Sequence, residues 1–165
     1  MKIAICSDSH DNLITIDKFL KYCKKTKVET IIHCGDWCAP STFEVFRKGF
    51  KGDIYGVYGN VHADKETIDK MAKKYNIKIE KDKFKIELDK LKIFITHYPD
   101  IAKEVAEQKK YDLIFYGHSH TPWMKKIENS YMVNPGTLAG MFSKATFAIY
   151  DTKTRKIELK LVERI

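Results

Sequence analysis

No run of apolar residues approaches the roughly 20 that a membrane-crossing helix needs, and charged residues, 32% of the total, are scattered throughout. A helical membrane span is thereby excluded. The amino terminus passes from Met1-Lys2 directly into a short strand-like run ending at Ser7-Asp8. It lacks the long apolar stretch and small-residue cleavage site of a signal peptide, so a cytoplasmic location is expected. Arginine is scarce, with only Arg47, Arg155 and Arg164. The net charge of +8 therefore rests on lysine, spread along the chain instead of gathered in one block. Arginine is the better reader of bases and phosphates, so a solvated surface is preferred over a nucleic-acid groove, which stays the alternative. Glutamine occurs once, at Gln108, and with so much lysine this fits the composition of a heat-adapted protein. Cysteines number four, and Cys34 and Cys38 have no second pair to complete a zinc cage. Without secretion, reduced thiols are expected. There is no internal repeat, low-complexity tract or linker. One domain over residues 1–165 is expected, and 44% hydrophobic content suffices for its core.

What is present is an alternation of strand and helix patterns. Lys2-Ile3-Ala4-Ile5-Cys6 reads as a strand, and Leu13, Ile16, Phe19, Leu20 and Cys23 then recur at helical spacing. Thr30 to Cys34 is a second strand. Ser41 with Glu44 resembles a capping box before a short helix. Ile54 to Tyr58 is a third strand, and Ile68, Met71, Ala72 and Tyr75 mark another helix. Beyond Lys78 the texture changes. Lys83 to Leu88 and Lys92 to Thr96 flank Asp89-Lys90 as a hairpin would. A helix near Asp100 to Lys109 and a strand at Leu113 to Tyr116 follow. Four more strands are predicted, at Trp123 to Glu128, Tyr131 to Asn134, Thr146 to Asp151 and Lys156 to Val162. An α/β fold is implied, either as stacked sheets with helices outside or as one mixed sheet with helices on both faces. Both layouts bind ligands at the carboxyl ends of strands.

Five of these strands run into polar residues of one kind. They are Asp8-Ser9-His10, Gly35-Asp36, Gly59-Asn60-Val61-His62, Thr96-His97 and Gly117-His118-Ser119-His120. Singly, each has a plain structural explanation as a helix cap, a turn or a core histidine. Together, and leaving His62 aside, they bring four of the six histidines, with carboxylates and an amide, to one sheet edge. Imidazole with carboxylate and no thiolate suits Mn²⁺, Fe, Zn²⁺, Ni²⁺ or Co²⁺ and disfavours an all-oxygen Ca²⁺ site. Seven ligands exceed what one such ion takes but suit two divalent transition-metal ions that share a carboxylate. Two ions roughly 3.5–4 Å apart are a known solution for phosphoryl displacement.

Asp-x-His, Gly-Asp, Gly-Asn, a later His and Gly-His-x-His, in that order, resemble the signature of calcineurin-like metallophosphoesterases. The short chain and Asn134-Pro135-Gly136-Thr137 are similar to the small single-domain YfcE-type phosphodiesterases. The resemblance implies a four-layer α/β/β/α sandwich of two mixed sheets flanked by helices. It implies that Asp8, His10, Asp36 and His120 hold one metal and that Asp36, Asn60, His97 and His118 hold the other, Asp36 bridging. A water or hydroxide between the ions would attack the phosphorus of a small phosphoester, most simply a phosphodiester. Many relatives have His directly after the Asn. Here Val61 takes that place, and His62, one residue later, is the candidate leaving-group acid. His33 reads as a buried structural histidine or as a group supporting the metal ligands.

Two other enzyme classes fit less well. A haloacid-dehalogenase-type phosphatase needs a second Asp where His10 stands, and an amidohydrolase needs His-x-His on the first strand. The alternative outside enzymes is a scaffold on the same fold, resembling the retromer subunit, but such a protein tolerates decay of the ligands and all seven are intact. Specificity is expected from short loops around Trp37, Tyr98 and Phe142. The Arg that relatives place after Asn-Pro-Gly is absent from Leu138-Ala139-Gly140-Met141. No membrane partner is implied, and a homodimer is left open.

Overall fold

Both faces of the first strand are apolar, so it must be covered on both sides. In β1 (Lys2–Cys6), Ile3 and Ile5 point one way, and Ala4 and Cys6 the other. The computed structural model, which describes residues 1–62 and 64–165, shows what covers each face. β1 pairs in parallel with β2 (Thr30–His33), β2 with β3 (Asp53–Val57), and β3 with the short β4 (Lys78–Glu80). On its other side β1 meets β10 (Thr146–Asp151), which carries β11 (Lys156–Leu161), both antiparallel. The second sheet begins with a hairpin of β5 (Lys83–Leu88) and β6 (Leu91–Thr96). β6 pairs in parallel with β7 (Leu113–Phe115), and β7 with β9 (Ser130–Asn134). β8 (Trp123–Ile127) lies antiparallel on the edge. The strand orders are β11-β10-β1-β2-β3-β4 and β5-β6-β7-β9-β8.

Three apolar clusters fill the spaces between four layers. Ile3, Ile5, Ile32 and Val57 of the first sheet meet Ile93, Ile95, Leu113 and Phe115 of the second. Ala4, Cys6 and Ile31, on the opposite face, are covered by helices α1 (Leu13–Lys25), α2 (Ser41–Gly49) and α3 (Lys65–Lys74). The far face of the second sheet, with Phe94, Ile114 and Met132, is covered by α4 (Pro99–Glu107) through Ala102, Val105 and Ala106. Of the two layouts the sequence allows, the structure is therefore the four-layer sandwich. Exposed helix faces carry lysine–carboxylate pairs one turn apart, Asp17–Lys21, Glu44–Lys48 and Glu66–Lys70. Such pairs each add little stability.

Two local expectations are corrected. The capping box at Ser41 does not form, because Pro40 holds the N-cap and Ser41 is already the first helical residue. A carboxylate from a distant loop serves that end instead. Asp11 accepts hydrogen bonds from the Ala39 amide (2.9 Å) and from Thr42 Oγ1 (2.5 Å). β4 was not expected, since Lys78-Ile79-Glu80 is too short and polar to carry a strand pattern.

Candidate metal centre

Parallel pairing aligns the carboxyl ends of β1, β2 and β3, and likewise those of β6, β7 and β9. The loops leaving five of these ends carry the seven predicted donors, and all seven converge. One atom from each of Asp8, His10, Asp36 and His120 lies within 4.8 Å of the others. His10 Nε2 stands 3.3 Å from His120 Nε2, and His120 Nε2 stands 3.2 Å from Asp8 Oδ1. Beside them, Asn60 Oδ1 is 2.8 Å from His97 Nε2 and 3.0 Å from His118 Nδ1, and the two ring nitrogens are 3.3 Å apart. Asp36 Oδ2 sits between the two groups, 3.7 Å from His10 Nε2 and 3.5 Å from His97 Nε2.

The orientation of each donor has a local cause. Asp36 Oδ1 accepts from the Asn60 and Val61 amides, both at 2.8 Å, which leaves Oδ2 facing the site. Gly35, at φ 108°, permits this crowding, because a β-carbon there would lie 2.5 Å from His97 Nδ1. His97 Nδ1 is 2.8 Å from the Cys34 carbonyl, the geometry that places the proton on Nδ1 and the lone pair on Nε2. His120 Nδ1 faces the Met141 carbonyl at 3.3 Å, and His10 Nδ1 faces Cys38 Sγ at 3.3 Å. Asp8 Oδ2 accepts from the His118 amide at 3.2 Å, whereas its buried Oδ1 has no hydrogen-bond partner. Asp8, His10, Asp36, His118 and His120 all adopt left-handed backbone, with φ between 39° and 72°. Each such residue costs on the order of 1–3 kcal/mol and is held only where surroundings over-determine it.

Burial shifts the protonation of this cluster. Desolvation pushes the Asp8 carboxyl up to about 6, opposed by the neighbouring Ser7 hydroxyl and by His120, both of which lower it. Desolvation also holds His97 below the usual imidazole range, opposed by the Asp36 charge. Two pairs of imidazole nitrogens face each other at 3.3 Å beside a buried carboxylate oxygen with no hydrogen-bond partner, and such an orphaned buried oxygen is costly unless a cation satisfies it. The donor set therefore fits divalent metal, with carboxylate, amide oxygen and imidazole ligands.

Residues outside the seven donors hold these loops together. Asn134 Nδ2 donates to the Gly117 carbonyl (2.9 Å) and contacts Ser119 Oγ (3.0 Å), fixing the Gly-His-Ser-His loop. Thr137 Oγ1 donates to the Asp8 carbonyl at 3.0 Å, and Asn12 Nδ2 to the Ala139 carbonyl at 2.8 Å. His33 is fully buried, with Nε2 at 3.0 Å from Ser9 Oγ, so it supports the Asp8-Ser9-His10 loop from behind. Trp37 is not a specificity residue. It is wholly buried, stacked on His33 and Phe43, and donates to the Val57 carbonyl at 2.9 Å. Tyr98 and Phe142 do lie beside the donors, 6.0 Å from the His118 ring and 5.7 Å from the His120 ring. His62 is exposed on the loop after β3, where its backbone bridges to Cys38 and its ring lies 5.6 Å from that of Tyr58.

A model of the calcineurin-like phosphoesterase superfamily domain matches residues 1–155. Phosphodiesterase MJ0936 of Methanocaldococcus jannaschii is 31% identical over 160 residues, covering 94% of this chain and 96% of that protein. A solved structure described as a novel archaeal phosphodiesterase superposes with a TM-score of 0.90 at 30% identity, over 98% of this chain and 99% of its own. YfcE, a phosphoesterase from E. coli, shares the fold at 18% identity, with a TM-score of 0.70 over 98% of this chain and 100% of its own. Matched over nearly its whole length, and with the family's polar motifs gathered at one rim of the sandwich, the chain belongs to the calcineurin-like phosphoesterase superfamily.

Proposed function

We propose that this phosphoesterase hydrolyses phosphodiesters at a dinuclear centre. One ion would be held by Asp8, His10, Asp36 and His120, the other by Asp36, Asn60, His97 and His118. The observation that carries the reading is the position of Asp36 Oδ2, within 3.7 Å of a donor from each group while Oδ1 is engaged by two amides. When bound, the ions would supply Lewis-acid polarisation of a phosphoryl oxygen and a water of lowered pKa. The protein's own part is to fix the donors, keep His97 and His120 in the tautomer that leaves Nε2 free, and exclude bulk water from Asp8 and Asp36. His62, at the rim, is assigned to protonate the leaving oxygen. The diester preference is supported by the likeness to the M. jannaschii and archaeal phosphodiesterases. It also fits the interactions described for the seven donors, which include none with Lys or Arg that would favour a second phosphate charge. Mn²⁺ or Ni²⁺ is preferred over Mg²⁺, because four of the seven donors are imidazoles.

The test is to strip the protein with chelator, restore it with Mn²⁺, Ni²⁺ or Mg²⁺, and measure both bound metal and diester hydrolysis. Two ions per chain with activity returning best in Mn²⁺ or Ni²⁺ is expected. Full turnover in excess chelator would defeat the reading, and two tightly bound ions with no turnover of any phosphoester would favour a scaffold.

A further inference from the structure

The two ends of the donor row differ. At the His118 end, the partly buried Tyr98 ring packs edge-on against His97, with centroids 5.3 Å apart and planes at 82°. Its ring is committed to holding imidazoles. At the His120 end, Phe142 is 93% exposed, and its ring is tilted by 35° to that of His120.

One exposed phenylalanine needs no special explanation. This one carries two further features. Its φ is 61°, a left-handed conformation that bulky side chains rarely adopt. Its segment is also tied to His120 from both sides. Ser143 Oγ donates to the His120 carbonyl at 2.8 Å, and His120 Nδ1 faces the Met141 carbonyl at 3.3 Å. The fold thus keeps an apolar ring in water and fixes it beside a proposed metal donor.

We propose that Phe142 is a specificity-determining residue that stacks on a nucleobase carried by one ester group of the phosphodiester substrate. The proposal rests on the phosphodiesterase reading above. An exposed aromatic face is a platform for planar rings. The preceding Leu138, Ala139, Gly140 and Met141 offer no hydrogen-bonding side chain to read a base edge. Recognition is therefore by face, and the site accepts purine and pyrimidine alike.

The experiment titrates Mn²⁺-loaded full chain with adenosine 5′-monophosphate and with methyl phosphate, which share the phosphate but not the base. Wild type, F142A and F142W are compared by calorimetry. A single base–aromatic stack is worth about tenfold in affinity, so wild type should prefer the nucleotide by about that factor. F142A should bring the ratio of the two dissociation constants toward one, and F142W should keep it. A 2-aminopurine nucleotide should be quenched on binding to wild type and F142W but not to F142A. Equal ratios in wild type and F142A, or no preference in wild type, would overturn the proposal. A loaded protein that binds neither probe and hydrolyses no phosphodiester would overturn the phosphodiesterase reading and this proposal with it.

Discussion

Asp36 contributes one oxygen to the backbone and the other to the site, so removing its charge tests the site most directly. Asp36→Asn keeps the shape but replaces one carboxylate oxygen by an NH₂ group, which repels cations when it faces the site. Even residues that only orient metal ligands cost about 10–100-fold when lost, so Asp36→Asn should lose metal and more than 100-fold in rate. Two ions retained at wild-type affinity, measured by elemental analysis, would show that the bridge lies elsewhere. His62 should behave differently. If it protonates the leaving oxygen, His62→Ala keeps both metals and loses roughly 10²–10⁴-fold on an alkyl diester. The loss should shrink on p-nitrophenyl esters, whose leaving group scarcely needs a proton, and an unchanged alkyl-diester rate would reduce His62 to a loop residue. Asp8 adds a pH dependence. Its carboxyl titrates near 6 in the metal-free fold, above its ordinary 3.8, because burial disfavours the charge. Its neutral form therefore favours the metal-free fold, and that contribution is lost as pH rises through about 6. Metal needs the ionised form, so the proton competes with it below that pH. His97 is held below the usual imidazole range by burial, and any proton it does take up competes with metal in the same sense. The melting temperature gained on adding Mn²⁺ should therefore grow between pH 5 and pH 7. A gain that stays flat across this range would contradict the burial argument.

Each donor stands just past the end of an element, and the loops are locked to one another rather than to solvent. Asn134, closing β9, donates to Gly117 and contacts Ser119 after β7, and its Oδ1 accepts from the Gly136 amide at 2.8 Å. Asn134→Asp keeps the size and the acceptor but removes the NH₂ donor. Metal affinity should fall about 10–100-fold as His118 and His120 lose their fixed loop, while far-ultraviolet dichroism stays that of the wild type. Unaltered metal affinity would show that the loop is held by other contacts. This support was invisible in the sequence beyond the Asn-Pro-Gly-Thr resemblance, since nothing in a string of letters says which carbonyl an amide will reach. The donors themselves were legible because apolar strands make the polar residues at their ends conspicuous. Strand and helix order was legible for the same reason. β4 was not, having only Ile79 as its apolar member, and it forms because β3 offers an open edge. Trp37 was misplaced because it follows Asp36 directly, yet the turn there sends its ring inward onto His33 and Phe43.

At the scale of the molecule, the two sheets present parallel strand ends to one rim, so residues as distant as Asp8 and His120 meet only when both sheets are stacked. Site and fold are thus assembled by the same long-range pairing, and a metal that bridges Asp8 with His120, and Asp36 with His97, would stitch one sheet to the other. Ions that bind the native state alone stabilise it by mass action, so chelator should lower the melting temperature as well as abolish activity. The charge of the rim also bears on the proposed diester preference. The surplus of +8 is carried by lysines, and those with described ion pairs, such as Lys21, Lys48 and Lys70, lie on helix faces. None is described in contact with the donors. Leu138 to Met141 supplies no cation either. If two divalent ions bind as proposed, the carboxylates of Asp8 and Asp36 would leave a modest positive charge, which a monoanionic diester would meet without further help. A dianionic monoester would place its second charge where no side-chain cation receives it. With the same ion and pH, kcat/KM for bis-p-nitrophenyl phosphate should therefore exceed that for p-nitrophenyl phosphate. The leaving group is identical, so the comparison isolates the second ester group from leaving-group chemistry. Raising the salt concentration should change the ratio little, because Asp8 and Asp36 are buried and charges buried beside them are weakly screened. A clear preference for the monoester would mean that a cation reaches the phosphate from a loop not in contact with the donors, and Lys→Ala substitutions along the rim would then locate it.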